Sequence, residues 1–308
     1  MSNFSFKKIM VMGAGGVGGY FGGKLAQLPG TELSFVARGR HLEEIQKNGL
    51  IVEGDTNSFV VHGPASENPE DLPDPDLILF TVKSHDTTDA IELIRPKAGS
   101  NTQILPLQNG IENMPKLVDA FGYDRVIHGL CRIGVHISEP GRLLFTSRGS
   151  VIIGEKDGSR SPRTESVKNM FDEAGVSCRI SDNIVRDTWL KFAWNTIFNM
   201  ITAAENRTTD YFFSDGKPDT LLWKLAGEIQ EVAKSEGVEL HDGDMEKLIH
   251  KTEGMGAFVT STLHDRRSGK KMEYDAFTGA LLRLADKHGM NLPEYHILHQ
   301  KLKSVDKD

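Results

Sequence analysis

The sequence predicts an α/β protein in two parts, a doubly wound parallel sheet over residues 1–182 followed by an all-α domain over residues 183–308. Three observations predict it. Short apolar runs alternate with helix-like segments through the first half. A glycine-rich hexapeptide joins the first such run to the first helical segment. Strand signals then stop near Asp182, and only long helical patterns follow.

In chain order, Lys8–Met12, Glu32–Val36, Leu77–Val82 and Ile104–Leu107 read as buried strands, each bounded by Gly, Pro, Asp or Asn. Val17–Gln27, His41–Asn48 and Thr87–Ile94 lie between them with helical spacing, and this alternation implies a parallel sheet covered on both faces. Leu50–Glu53 with Phe59–His62, and Arg142–Phe145 with Ser150–Gly154, have the pattern of two inserted β-hairpins. A helix over Arg163–Ala174 and a strand over Val176–Ile180 close the first domain. Ser181-Asp182-Asn183 supplies N-cap chemistry for the next helix, Ile184–Ala204, and further helices follow over Thr220–Glu236, Asp244–His250 and Tyr274–His288. No internal repeat or low-complexity segment is visible.

The chain has 308 residues, enough for two cores; 38% are hydrophobic, 26% are charged, and the formal net charge is -7. An acidic chain of this kind offers no electrostatic footprint for nucleic acid, so a site for an anion has to be a local positive pocket. The two cysteines, Cys131 and Cys178, form no C-x-x-C pair and are too few for a disulfide framework, so the cytoplasm is the expected compartment. Lys7 and Lys8 precede an apolar run too short for a signal peptide, and no stretch reaches the ~20 apolar residues of a membrane span, so no membrane association is expected. No H-E-x-x-H occurs among the eleven histidines, His296 and His299 read as terminal helix surface, and no metal is expected. No G-x-S-x-G elbow supports hydrolase chemistry.

Residues 13–18 read G-A-G-G-V-G, directly after the first strand and directly before a helix. That context turns a weak glycine motif into a strong Rossmann-type dinucleotide fingerprint. Gly13 permits the tight turn, Gly15 lets the backbone approach a pyrophosphate, and Gly18 lets helix and strand pack closely; Ala14, Gly16 and Val17 complete the loop. The helix N-terminus then offers N–H groups and partial positive charge to the phosphates. A glycine-rich turn without ligand is the bland alternative. At the end of the second strand an NAD site carries Asp or Glu, whereas here the chain reads Phe35-Val36-Ala37-Arg38, with Arg40 close behind. A guanidinium pairs with a 2′-phosphate that a carboxylate would repel, which favours NADPH/NADP+ over NAD(H), unless Arg38 is an ordinary surface arginine.

The stretch Asp187–Ala204 is mostly apolar around its whole circumference. At 3.6 residues per turn, Lys191, Asn195, Asn199 and Thr202 fall within an arc of roughly 80°. A buried lysine and two buried asparagines are costly unless partners or a ligand satisfy them. The stripe is therefore either a site wall or a solvated edge on which Lys191 snorkels.

These motifs together resemble the ketopantoate reductase family over essentially the whole chain. The resemblance rests on G-A-G-G-V-G at 13–18, V-A-R-G-R-H-L at 36–42, T-V-K at 81–83, L-Q-N-G at 107–110, K-F-A-W-N-T-I-F-N at 191–199 and S-T-L-H-D-R-R-S-G-K-K-M-E-Y-D at 261–275. It implies that Lys191 is the general acid, and that Asn195 and Asn199 bind substrate. It implies further that Ser261 and Glu273 hold the substrate's carboxylate and hydroxyl groups, and that Lys83 and Asn109 lie at the cofactor–substrate junction. By residue pattern alone, Glu273 beside Arg266-Arg267 and Lys270-Lys271 reads equally well as a solvated charged segment. Met200 stands where the family often has proline, which bears on the helix's last turn and the pocket floor.

The implied reaction is NADPH-dependent reduction of 2-dehydropantoate (ketopantoate) to pantoate on the route to pantothenate, with hydride reaching the C2 carbonyl and a protonated Lys191 aimed at its oxygen across an interdomain cleft. Like-charge repulsion from Lys83 would lower the Lys191 pKa and ease proton donation. Two other readings share the scaffold: a reductase for another small 2-keto acid, and a non-catalytic NADP(H) sensor. Retention of Lys191 with both asparagines argues against the sensor. The expected partner is a small 2-keto acid, and the sequence leaves a homodimer open.

Overall fold

The computed structural model describes residues 6–54, 57–214 and 217–306. They form two compact units, Met1–Asn109 with Asn113–Ile184, and Gly110–Glu112 with Val185–Asp308.

The first unit is built on β1 (Lys8–Met12), β2 (Glu32–Val36), β3 (Leu50–Gly54), β4 (Ser58–Val61), β5 (Ala65–Ser66), β6 (Leu77–Phe80) and β7 (Gln103–Pro106). β5, β2, β1, β6 and β7 form one sheet in that order, every pairing parallel. β6 and β7 are buried at every position, as strands covered on both faces must be. Strand order reverses direction between β1 and β6, and this reversal is the switch point at which open α/β sheets bind ligands beyond the carboxyl ends of their strands. Helices α1 (Gly16–Leu25), α2 (Gly39–Asn48), α3 (Thr87–Ile94) and α4 (Asn113–Phe121) connect the strands.

A second sheet runs β4-β3-β10-β9 and a third β12-β11-β8, with β8 (His128–Arg132), β9 (Val135–Glu139), β10 (Arg142–Phe145), β11 (Ser150–Gly154) and β12 (Ser177–Ile180). The expected hairpin of β10 with β11 does not form. β10 pairs antiparallel with β9 through the Pro140-Gly141 turn and parallel with β3, while β11 pairs with β8 and β12. The short residue spacing that suggested a hairpin instead carries the chain from one sheet to the next. α5 (Pro162–Glu173) closes the unit with a capping box between Ser161 and Thr164 and proline in its first turn.

The second unit is helical: α6 (Ile184–Trp194), α7 (Met200–Glu205), α8 (Thr220–Ser235), α9 (Asp242–Glu253), α10 (Ser261–Arg267), α11 (Thr278–Lys287) and α12 (Pro293–Val305), with one small strand pair between α7 and α8. Its core includes Phe192, Ile197, Phe198, Ile201, Ile229, Phe277, Leu281 and Tyr295. All three tryptophans of the chain, Trp189, Trp194 and Trp223, lie in this unit. Proline starts α12, and the Glu228 carboxylate accepts the first-turn amides of Glu294 and Tyr295 at 2.9 and 3.0 Å. No helix among the described residues is long and apolar enough to cross a membrane.

The helix expected over Ile184–Ala204 forms without interruption in space but not as one α-helix. Asn195–Asn199 is a π-helical turn between α6 and α7. Such wide turns are rare and occur mostly inside α-helices, where they re-aim side chains.

Candidate active site

In the first unit, β1 delivers the glycine loop to the switch point. Gly13 has φ +94° and packs so closely on Val82 that a Cβ would lie 2.9 Å from its backbone nitrogen. A Cβ on Gly18 would meet the Thr81 hydroxyl at 2.2 Å and the Gly13 carbonyl at 2.5 Å, so only glycine fits this close approach of α1 to the sheet. A Cβ on Gly15, by contrast, would have nothing within 4 Å among the described residues. No side chain caps α1, and its first turn holds no acidic residue. First-turn amides have no acceptor in their own helix, so this terminus is suited to an anion.

The loop's carbonyls, meanwhile, are taken up. The Thr81 hydroxyl lies 2.9 Å from the Gly13 oxygen and 3.1 Å from that of Met12. The Ala14 oxygen accepts from His41 Nε2 at 2.8 Å. The amides of Gly13 and Ala14 both donate to Val36 at 3.1 Å, and Gly15 donates back to Gly13 at 2.8 Å. Thr81 and His41 lie within the T-V-K and V-A-R-G-R-H-L segments, but local sequence gives no sign of these bonds to the loop.

Arg38 precedes α2 and its guanidinium is largely exposed, but it is not alone: it donates to Asp86 at 2.9 Å. The Glu67 carboxylate accepts the Gly39 amide at 3.0 Å. The end of β2 itself holds no acid, yet folding brings two carboxylates beside the first turn of α2.

Lys83 and Asn109 follow β6 and β7. Lys83 is exposed and precedes a 3-10 turn, Ser84–Asp86. A buried amide network supports both segments. Asn113, 5% exposed, donates to the Asn109 carbonyl at 2.7 Å and to Ser84 Oγ at 3.0 Å, and it accepts from Thr87 at 2.9 Å. Gln108 donates to the Val82 carbonyl and to Thr87 Oγ1, both at 2.8 Å, while its own Oε1 is buried with no partner among the described residues.

In the second unit, Lys191 is half-buried in the last turn of α6. Asn195 and Asn199, 6% and 2% exposed, bracket the π turn. Asn199 Nδ2 lies 3.4 Å from Asn195 Oδ1 and donates to Ser261 Oγ, the first residue of α10, at 3.2 Å. Asn199 Oδ1 is buried with no partner among the described residues. An orphaned amide oxygen costs about 1–3 kcal/mol, which a ligand donor would relieve. Thr202, the fourth residue of the stripe, faces inward rather than toward this cluster: its hydroxyl reaches the Phe198 carbonyl at 2.6 Å and the Thr260 hydroxyl at 2.7 Å. Thr260, the N-cap of α10, thereby fixes where Ser261 sits. The Met200 amide donates to Ile197, a bond a proline there could not make.

Glu273 is half-buried and precedes the 3-10 turn Tyr274–Ala276. Arg283 secures that turn: its guanidinium binds Asp275 at 3.1 Å and grips Glu112 at 2.9 and 2.8 Å. Two members of the basic run before Glu273 are engaged in structure. Arg266 donates to the carbonyls of Ala203 and Ala204 and Arg267 to Asn206, so both close the C-terminus of α7.

Open amides at the switch point suit a pyrophosphate, and an amide cluster on the same helix as a lysine suits an oxygen-rich small molecule. Together the fold and these clusters define a nicotinamide-dinucleotide-dependent oxidoreductase. Residues 9–158 match the ketopantoate reductase PanE/ApbA family and residues 183–306 match that family's C-terminal domain. The chain belongs to the ketopantoate reductase family. A 2-dehydropantoate 2-reductase of Pyrococcus horikoshii is 31% identical over 305 residues, covering 97% of each chain. One of Mesorhizobium japonicum is 31% identical over 91% of this chain and 93% of its own. The crystal structure of a 2-dehydropantoate 2-reductase from Geobacter metallireducens superposes with a TM-score of 0.87 at 30% identity, over 97% of this chain and 99% of that one.

Proposed function

We propose that the chain reduces 2-dehydropantoate to pantoate with NADPH, Lys191 acting as general acid. The observation that carries this reading is the cluster of Asn195 and Asn199, on the helical segment that bears Lys191, with Ser261 of α10, and the buried amide oxygen that the cluster leaves unpartnered among the described residues. Membership of the family supports the substrate.

When bound, the nicotinamide supplies hydride to the substrate's C2 carbonyl carbon. In this proposal the glycine loop, Gly13 to Gly18, holds the pyrophosphate, and Arg38 reaches the 2′-phosphate. Lys83 and Asn109 stand at the junction of cofactor and substrate. Asn195, Asn199, Ser261 and Glu273 orient the keto acid through its carboxylate and hydroxyl oxygens. The Lys191 ammonium stabilises the charge that develops on the C2 oxygen and then gives up a proton to it. Residues 1–182 thus serve as the cofactor-binding domain and 183–308 as the substrate-binding and catalytic domain.

Arg38 and the absence of an acid at the end of β2 support NADPH over NADH, with a 2′-phosphate competing with Asp86 for the guanidinium. The test follows NADPH oxidation at 340 nm with ketopantoate, repeats it with NADH, and repeats both with other branched 2-keto acids. Higher kcat/KM for NADPH and ketopantoate is expected; equal or greater kcat/KM for another keto acid would overturn the substrate, and firm NADPH binding without turnover would overturn the enzyme.

A further inference from the structure

His41, in the first turn of α2, joins three separate pieces of the first unit. Its Nε2 is 2.8 Å from the Ala14 carbonyl of the glycine loop, and its Nδ1 accepts the Gly141 amide from the β9–β10 turn at 2.9 Å, across 100 positions of sequence. A carbonyl oxygen only accepts and a backbone amide only donates. The ring therefore carries its proton on Nε2 and leaves Nδ1 bare, a single neutral tautomer. Burial favours that neutral form and holds the imidazole below its usual range, although the bond to Ala14 pulls the other way.

A glycine-rich loop has many backbone conformers of similar energy, and a flipped peptide would turn a carbonyl toward the phosphate instead of an amide. Thr81 holds the Gly13 carbonyl, and His41 does the same for Ala14. We propose that His41 is a positioning residue for the dinucleotide: it locks the Ala14–Gly15 peptide and ties the phosphate loop to the start of α2, where Arg38 and Arg40 lie. This rests on the reading that the glycine loop takes a nicotinamide dinucleotide. Gly141 completes the clasp with φ +75°, and a Cβ there would strike Glu44 of α2, so the turn comes close enough to reach the ring.

Two variants test it. His41→Phe keeps the ring volume and removes both bonds; His41→Gln keeps one donor and one acceptor. In His41→Phe, KM for NADPH and for NADH should both rise about tenfold, as expected for two lost hydrogen bonds, while kcat at saturating dinucleotide changes less than about twofold. His41→Gln should recover most of the loss. In the free protein, the peptide containing residues 13–18 should exchange its amide hydrogens faster in His41→Phe than in wild type. Unchanged KM in His41→Phe, or a Gln variant as impaired as Phe, overturns the proposal. Should wild type bind neither dinucleotide, the functional reading falls, and hydrogen exchange alone decides the clasp: equal exchange over 13–18 in wild type and His41→Phe refutes it.

Discussion

Asn199 donates from its amide nitrogen to the Ser261 hydroxyl at 3.2 Å, across 62 positions of sequence. The bond fastens α10 to the π turn and leaves the other amide atom of Asn199 buried without a partner among the described residues. If the two residues bind substrate as a unit, their substitutions will not add. Asn199→Ala and Ser261→Ala should each lower kcat/KM for ketopantoate by about 10- to 100-fold, as loss of hydrogen bonds to a charged ligand does. The double variant should lose much less than the product of the two. A double-mutant cycle showing simple additivity would contradict the shared role.

Lys191→Ala should lose about 10²–10³ in kcat, the usual consequence of removing one preorganised donor from a developing oxyanion. NADPH titration, followed by quenching of protein fluorescence, should show binding close to wild type. Near-normal turnover in this variant would remove Lys191 from the mechanism.

The Arg38–Asp86 pair gives a cofactor prediction with two arms. Arg38→Ala should raise KM for NADPH about tenfold or more and leave KM for NADH within about twofold, because only the former loses a charge-assisted contact. Asp86→Asn removes the competing carboxylate, so the ratio of NADPH to NADH efficiency should increase. Parallel effects on both dinucleotides would place Arg38 outside the 2′-phosphate site.

His128, in β8, is pushed by burial from the ordinary histidine value of 6.5 to about 4. The unfolded chain takes up a proton that the folded protein resists. Its contribution to stability is therefore complete above pH 6.5 and is lost as pH falls from 6.5 toward 4, by at most about 1.4 kcal/mol per pH unit. Urea midpoints measured from pH 7.5 to 4.5 should fall more steeply for wild type than for His128→Gln. Parallel curves would show that the imidazole titrates freely in the fold.

Much of the architecture was legible because its signals are local. Strand, glycine loop and helix stand side by side in residues 8–25, and the buried strands β6 and β7 announce themselves as short apolar runs. β8 and β9 carry no clear strand signal because His128–Arg132 and Val135–Glu139 mix polar with apolar residues, and each is ordered by pairing with a strand later in the chain, β11 and β10 respectively. The π turn has no sequence signal: 3.6-residue spacing put Thr202 with the asparagines, whereas the wider turn sends it to Thr260. Asp86 and Glu67 near α2, and Gly141 on His41, depend on contacts between distant segments, and nothing in the local pattern of α2 foretells them.

The confinement of every tryptophan to the helical unit makes indole emission a reporter of that half of the molecule. Far-ultraviolet circular dichroism, in contrast, registers the parallel sheet as well. Recorded together during heating, the two signals would coincide if the chain melts as one cooperative block and would separate if each unit melts on its own. No engineered probe is needed to tell these cases apart.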